Sequence, residues 1–140
     1  MQKKVHKLHD EQPQGFALIA IASHQNDYRL SWALNRQFNW QLTRSQDLLV
    51  KEPKAGVEQA FIRYSYHSQQ HLTYHLVANR CSRGFLLADH QNVDYLLKIE
   101  GENVRENVKP IIQKIRHIDF VITAFAIETL KSKDKKKLMF

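Results

Sequence analysis

The sequence contains little of several residue types, and each shortage excludes a class of protein. Its 140 residues include a single cysteine, Cys81, so neither an intramolecular disulfide nor a cysteine-based zinc cluster can form. The longest apolar runs, 16–22 and 85–88, are much shorter than the roughly 20 residues of a membrane-spanning helix. The N-terminus also lacks the apolar segment of a signal peptide. We therefore expect a cytoplasmic protein that has no membrane partner.

Glycine and proline are also scarce, at 4 and 3 residues, which leaves little room for low-complexity linkers. The length is typical of one domain. We expect a polar N-terminal leader, a single α+β domain and a basic C-terminal tail, at residues 1–12, 13–130 and 131–140.

The positive charge is concentrated in the tail. Of the net charge of +7, residues 131–140 contribute +4 from five lysines and one aspartate, and residues 12–130 contribute only +2. A lysine run of this kind can bind phosphate groups through counterion release, or it can simply keep a protein soluble. The candidate polyanion-binding residues are Lys131, Lys133, Lys135, Lys136 and Lys137.

Hydrophobic patterns in the first half predict a strand, a helix and then a hairpin. The run FALIAIA, 16–22, is apolar on both faces, as a central strand covered on both sides would be. A helix is expected from Asp27 to about Phe38, with Asn26 or Asp27 as its N-cap. A polar strand and the two alternating strands of a hairpin follow, at 41–50, 57–68 and 69–79.

The second half predicts a strand, a helix and a last strand. The stretch 93–101 alternates and ends at Gly101, and a helical pattern follows in which Pro110 either introduces a kink or marks the effective start. Residues 119–128 are apolar on both faces, and we interpret them as a second central strand, with a helix as the alternative. Together these elements predict a mostly antiparallel sheet of about five to seven strands packed with two helices.

Candidate motifs for metal binding and catalysis lack the spacing that the chemistry requires. His71 and His75 are four residues apart, but on a strand their rings would lie about 13 Å apart and could not bind one ion together. Ser23 and His24 adjoin without a GxSxG motif, and we expect them to serve the backbone at the end of the strand. No phosphate-binding glycine motif is present. The motifs therefore identify no catalytic residue, metal site or cofactor.

Other polar and aromatic residues have both a functional and a structural interpretation. Cys81, between two arginines, could be reactive but is better explained as a loop thiol. The carboxylates Asp89, Asp94 and Glu100 have no acid–base spacing, and we interpret them as loop and edge charges. Aromatic residues of the hairpin could stack RNA bases or pack against one another; they are Phe61, Tyr64, Tyr66 and Tyr74.

One face of the first predicted helix has no explanation in the sequence. Its inner stripe, which should pack on the sheet, contains Leu30, Ala33, Leu34 and Phe38. On the far side Tyr28, Trp32 and Arg36 recur at every fourth residue, with Arg29 beside them. We call these four residues the aromatic face. Tyr, Trp and Arg are enriched at interface hot spots. Alternatively, another element covers Trp32, such as the C-terminal LMF or the second helix.

Several strings of the sequence resemble the bacterial IPExxxVDY family of small proteins. They are SHQNDYRLSWALNRQF, VDYLLKIEG, VITAF and LKSKDKKKLMF. The VDY of the family signature corresponds to Val93, Asp94 and Tyr95. Its IPE is replaced by Leu87, Ala88 and Asp89. The rigid proline is therefore absent, and an aspartate stands in place of the longer glutamate. The family has no assigned activity, cofactor or catalytic residue. The resemblance implies only a complete small cytoplasmic protein.

Three functions are compatible with the sequence. The favoured one is a non-enzymatic binding or adaptor module that binds a protein partner, or a second copy of itself as a homodimer, through the aromatic face. The second is binding of RNA or another polyanion through the basic tail and the aromatic strands. The third is a small enzyme with a pocket that only the fold assembles. Such a pocket would need at least two titratable groups, for example from among His24, Asp27, Asp94 and His117.

Overall fold

A computed structural model describes residues 15–52 and 56–140. The leader predicted at 1–12 lies outside the described residues. The strands are β1 (Phe16–Ser23), β2 (Thr43–Glu52), β3 (Val57–His67), β4 (Thr73–Ala78), β5 (Arg80–Cys81), β6 (Gly84–Phe85), β7 (Tyr95–Glu100) and β8 (Val121–Ala126). The helices are α1 (Asp27–Phe38), α2 (Arg105–Arg116) and α3 (Ser132–Lys137), with a 3-10 turn at Ala88–His90.

Six strands form one antiparallel sheet in the order β2-β3-β4-β7-β1-β8, and β5 and β6 form a small separate hairpin. The α+β class and the antiparallel sheet predicted from the sequence are therefore confirmed. β1 is central, as predicted, because it pairs with β7 on one side and β8 on the other; Ile19 lies opposite both Leu97 and Ala126. Gly101 ends β7 with φ 139°, where a Cβ atom would lie 2.7 Å from the carbonyl oxygen of His71.

Residues 121–126 form a strand, so the helical alternative is wrong, but β8 lies at the edge of the sheet. The prediction of a second central strand is therefore also wrong. Its faces are covered in part: Val121 and Ala124 belong to the core beneath the helices and Phe125 packs on the opposite side, whereas Ile122 is 61% exposed. Apolar residues on both faces of a segment therefore do not require two neighbouring strands. Arg116 donates a hydrogen bond to the carbonyl oxygen of Ala124 on this edge strand, at 2.9 Å.

Two helices cover one face of the sheet. α1 has its predicted bounds, and the Asn26 side chain caps it by accepting a hydrogen bond from the main-chain nitrogen of Arg29 at 2.8 Å. α2 begins at Arg105 and continues through Pro110, so the proline does not mark its start. The inward stripe of α2 includes Ile111, Ile112 and Ile115, all buried, and this packing offsets the hydrogen bond that a proline removes. No helix in the described ranges is long and apolar enough to cross a membrane.

The C-terminal residues cover the opposite face of the sheet, together with the loop after β4. Leu138 is fully buried there, in a cluster with Leu86, Leu87 and Phe61. The six-residue helix α3 precedes Leu138 and is a third helix, where the sequence predicted two. It forms because the apolar end of the tail provides the packing that a lysine-rich helix lacks by itself. The segment we predicted as a basic tail thus contributes to the core.

We predict that Leu138→Ala lowers the free energy of unfolding by about 2–5 kcal/mol, because the substitution removes a fully buried side chain from the second core cluster. Met139 is 66% exposed in the same segment, and Met139→Ala should change the free energy of unfolding by less than about 0.5 kcal/mol. Urea unfolding of both variants measures the difference. Equal, small effects would mean that the C-terminal segment does not pack on the sheet.

Candidate functional site

The aromatic face lies on the outer side of α1 and is exposed. Tyr28 and Trp32 are 71% and 53% exposed, which places them among the most exposed large apolar side chains of the described residues. The guanidinium of Arg36 lies over the Trp32 ring, 5.0 Å from its centroid. Arg29 lies over the ring of Phe120, 5.7 Å from that centroid, at the start of β8. Each arginine is thereby positioned against an aromatic ring.

The elements proposed as a cover for Trp32 do not cover it. The C-terminal residues lie on the far side of the sheet, where Leu138 is fully buried in the second core cluster. α2 packs beside the C-terminal part of α1, where Gln37 donates a hydrogen bond to the Lys114 carbonyl oxygen at 3.2 Å. Neither of these contacts involves Trp32, which is half-exposed. The interpretation of Trp32 as a residue buried by these two elements is therefore wrong.

Tyrosine hydroxyls from the sheet fix the start of α1. Tyr64 on β3 donates a hydrogen bond to the Asp27 carboxylate at 2.7 Å. Tyr95 on β7 donates to the carbonyl oxygen of Gln25 at 2.6 Å. Burial, and then the hydrogen bond to Asp27, raises the pKa of Tyr64 to about 12. Burial also raises the pKa of Tyr95 to about 12, with a further contribution from the nearby charge of Asp27. Both hydroxyls therefore stay protonated and donate over the physiological pH range.

Asp94 and Ser23 fix the end of β1. Asp94 accepts hydrogen bonds from the main-chain nitrogen of Ser23 at 2.8 Å and from Arg80 at 2.9 Å. The Ser23 hydroxyl donates to the carbonyl oxygen of Phe120 at 2.9 Å and accepts from the main-chain nitrogen of Gln25. The prediction that Ser23 serves the backbone is confirmed. Asp94 lies in the loop before β7, as interpreted from the sequence, and its carboxylate joins the end of β1 to Arg80 on β5.

These contacts surround an open cleft of about 450 Å³ at the start of α1. The lining residues are Ser23, His24, Gln25, Asn26, Asp27, Ile62, Ala78, Arg80, Asp94 and Tyr95. Three of the titratable groups that we named for a possible enzyme meet here, while His117 lies at the end of α2. Both carboxylates of the cleft already accept hydrogen bonds that hold the fold. Protonation of either carboxylate would weaken a charge-assisted hydrogen bond that holds the fold.

The C-terminal lysines do not form one continuous basic patch. Lys131 pairs with Asp89 at 2.7 Å. Lys137 donates a hydrogen bond to the Leu86 carbonyl oxygen at 3.0 Å, and its Nζ lies 3.5 Å from Asp134. Lys135 is half-buried, while Lys133 and Lys136 are exposed. Two of the five lysines thus hold the segment onto the protein through contacts with Asp89 and Leu86.

The aromatic side chains of the hairpin pack mainly inside the protein. Phe61 is fully buried, and Tyr64 and Tyr74 are 7% and 5% exposed. Tyr74 stacks on Tyr66 with 5.8 Å between the ring centroids, and it also contacts Trp40 at 4.1 Å. These rings pack against one another, as the structural interpretation of the sequence proposed.

The histidines of HLTYH lie in different environments. His71 is exposed in the turn before β4 with φ 65°, whereas His75 is buried on β4. No group of three or more His, Cys, Asp or Glu side chains among the described residues could hold a metal ion. His75 instead lies near Glu100, which contacts Lys98 as well. Glu100 is therefore not an edge charge, because β7 lies inside the sheet.

Sequence reasoning missed Lys98, a lysine that is only 1% exposed. The available signal was its place in YLLKIE, where it is the one charged residue inside an otherwise apolar strand. Alternation alone would have assigned it to a solvated face. The C-terminal segment covers that face, and its docking could not be read from the pattern of β7.

We predict that Tyr64→Phe lowers the free energy of unfolding by about 1–3 kcal/mol, because Asp27 loses a hydrogen bond. The raised pKa of Tyr64 means that the native state keeps a proton that the unfolded state releases above pH 10. Stability from this group is thus present below pH 10 and is lost as the pH rises to about 12. Tyr64→Phe should therefore show a weaker loss of stability over that interval than the wild type.

Urea unfolding at a series of pH values measures both effects. Tyr28→Phe is the matched control, since Tyr28 is 71% exposed and its variant should follow the wild type. An unchanged pH dependence in Tyr64→Phe would show that the Tyr64 hydroxyl does not hold α1.

No model of a known protein family matches the sequence, and no curated protein matches it either. We therefore infer the function from the geometry of α1 and its surroundings.

Proposed function

We propose that this protein is a non-enzymatic binding module whose aromatic face binds an acidic, partly apolar segment of a partner protein. The observation that carries the proposal is the exposure of Trp32, 53%, beneath the guanidinium of Arg36. Tyr28, one helical turn before Trp32, is 71% exposed, and neighbouring exposed apolar groups rimmed by polar ones are typical of interaction sites. Tyr, Trp and Arg together are the side chains that most often dominate binding energy at protein interfaces.

The aromatic face is rigid, which favours binding. α1 is capped by Asn26 and is joined to the sheet by the hydrogen bond between Tyr64 and Asp27. On its inner side, Leu30 and Leu34 are fully buried. A surface that is already ordered loses little conformational entropy when a partner binds.

The charge of the face supports an acidic partner over a second copy of the chain. Its charged groups are the guanidinium groups of Arg29 and Arg36, and none of its four residues has a carboxylate. A two-fold dimer through this face would place Arg29 and Arg36 of both copies in one interface. Like charges at an interface oppose association. Carboxylates of an acidic segment would pair with both arginines while an apolar side chain packs on Trp32.

Hydrogen bonding in the neighbouring cleft supports a binding role over an enzymatic one. Asp27 and Asp94 are each committed to a contact that holds α1 or β1. The hydrogen bonds that line the cleft thus hold α1, the helix that presents the aromatic face.

We also propose that the chain belongs to the IPExxxVDY family and acts in the bacterial cytoplasm. Support comes from the position of the strings that carry the resemblance. Ser23 and Asp27 of the first string lie beside Asp94 and Tyr95 of the second, at the start of α1. The single cysteine is consistent with a reducing compartment.

Selection from a displayed library of random peptides tests the proposal. We expect the enriched peptides to contain several Asp or Glu residues around an apolar residue. Their affinity should fall at least about tenfold on Trp32→Ala and on Arg36→Glu, as expected for a hot-spot residue worth more than 1.4 kcal/mol. Leu49→Ala is the matched control, because Leu49 is 58% exposed but lies on β2, and it should bind the peptides normally.

Three outcomes would overturn the proposal. The first is a set of peptides that bind Trp32→Ala as well as the wild type. The second is a dimer of the wild type that Trp32→Ala dissociates in light scattering, which would identify a second copy as the occupant. The third is tight binding of a single-stranded oligonucleotide that Lys133→Glu and Lys136→Glu abolish, which would favour polyanion binding through the C-terminal lysines.

A further inference from the structure

A second cleft lies at the other end of α1, where the chain leaving the helix meets the turn between β3 and β4. Its volume is about 280 Å³, close to the lower limit of about 300 Å³ for sites that hold a small molecule. Four of its lining residues are aromatic: Phe38, Trp40, Tyr66 and Tyr74. The other lining residues are polar and uncharged. The cleft therefore suits a small neutral ligand.

The four rings form a stack in which Tyr66 is the last member. Trp40 stacks with Phe38 at 4.3 Å between ring centroids and with Tyr74 at 4.1 Å. Tyr66 lies opposite Tyr74 across β3 and β4, at 5.8 Å between centroids. Within the described residues no second ring and no cation lies over Tyr66. Its other face is thus the one that the stack leaves for the C–H groups of a ligand.

The hydroxyl of Tyr74 has no hydrogen-bond partner among the described residues, although only 5% of this residue is exposed. A tyrosine buried to this extent usually pairs its hydroxyl. In the described ranges the single buried side-chain polar atom without a partner is His90 Nδ1, so the Tyr74 hydroxyl must reach solvent. Burial raises the pKa of Tyr74, with a further contribution from Tyr66, and the hydroxyl stays a donor at neutral pH.

Three side-chain amides line the cleft beside the rings, those of Asn39, Gln69 and Gln70, and all three residues are exposed. None of these amides bonds to another described residue. The turn that carries the two glutamines is nevertheless ordered, because the Ser68 hydroxyl accepts hydrogen bonds from the main-chain nitrogens of Gln70 and Leu72 at 3.3 and 3.2 Å. Each amide offers both a donor and an acceptor at a fixed place.

We propose that this cleft binds a neutral saccharide, whose C–H face packs on Tyr66 and whose hydroxyls bond to Tyr74 and to the amides of Gln69 and Gln70. The site is separate from the aromatic face and does not depend on it. Sugar hydroxyls both donate and accept, so they pair with both ends of each amide. A proline-rich segment, which aromatic grooves also bind, has no N–H at its prolines and would leave the amide oxygens unpaired.

Tryptophan fluorescence tests the proposal in Trp32→Phe, because Trp40 is then the one tryptophan in the chain. Methyl glucoside, methyl galactoside, maltose and cellobiose are titrated into this variant. We expect at least one of them to change the Trp40 emission and to saturate at millimolar concentration. In the same background, Tyr66→Ala and Gln70→Ala should each weaken binding about two- to tenfold, as expected for a lost aromatic contact and a lost neutral hydrogen bond.

Gln91→Ala is the matched control, since Gln91 is exposed but lies outside the cleft, and it should leave binding unchanged. The proposal is overturned if none of the four sugars gives a saturable change, or if Gln70→Ala binds as tightly as Gln91→Ala. Saturation of the Trp40 signal by an oligoproline peptide but by no sugar would also overturn it and would identify a proline-rich partner. Because Gln70 is exposed, its substitution keeps the fold, and the comparison decides even if Tyr66→Ala is unfolded.

Discussion

Strand β1 is the constraint on which the rest of the structure depends, because it is hydrogen-bonded on both edges and covered on both faces. β7 and β8 pair with its two edges. Ile19 and Ile21 belong to the core beneath the helices, while Leu18 and Ala20 belong to the core beneath the C-terminal segment. A strand with two apolar faces requires two separate covers. The helices provide one of them, and the loop after β4 and the C-terminal residues provide the other.

This double cover determines which surfaces are left for function. α1 uses its inner stripe to bury β1, so the aromatic face must point outward. Asp27 accepts a hydrogen bond that holds α1 and Asp94 accepts one that holds the end of β1, so both carboxylates of the cleft take part in contacts within the fold. On the opposite face, the C-terminal segment closes over Lys98 and places a ring of Phe140 on its amine. The exposed aromatic face and the buried Lys98 both follow from how β1 is covered.

Local sequence patterns predicted most of the fold, and long-range packing accounts for the errors. The helical period of α1 and the position of its N-cap depend only on neighbouring residues, so the sequence predicted the helix and named Asn26 as one of two candidate caps. The edge position of β8 and the docking of Leu138 depend on residues far away in sequence, so the patterns could not reveal them. The aromatic face was predicted from a helical wheel, since it needs only one helix. The cleft beside Trp40 joins the end of α1 to the turn between β3 and β4, and no local spacing indicates it.

The central claim is that Trp32, together with its two arginines, binds an acidic segment. The protein has two tryptophans, of which Trp40 packs inside against Tyr74. A nuclear magnetic resonance titration with a selected acidic peptide therefore contains its own comparison, because each indole N–H gives a separate signal. Binding at the aromatic face predicts that the Trp32 signal shifts together with those of the Arg29 and Arg36 side chains while the Trp40 signal stays in place. A shift of Trp40 or of the C-terminal residues, with Trp32 unchanged, would contradict it.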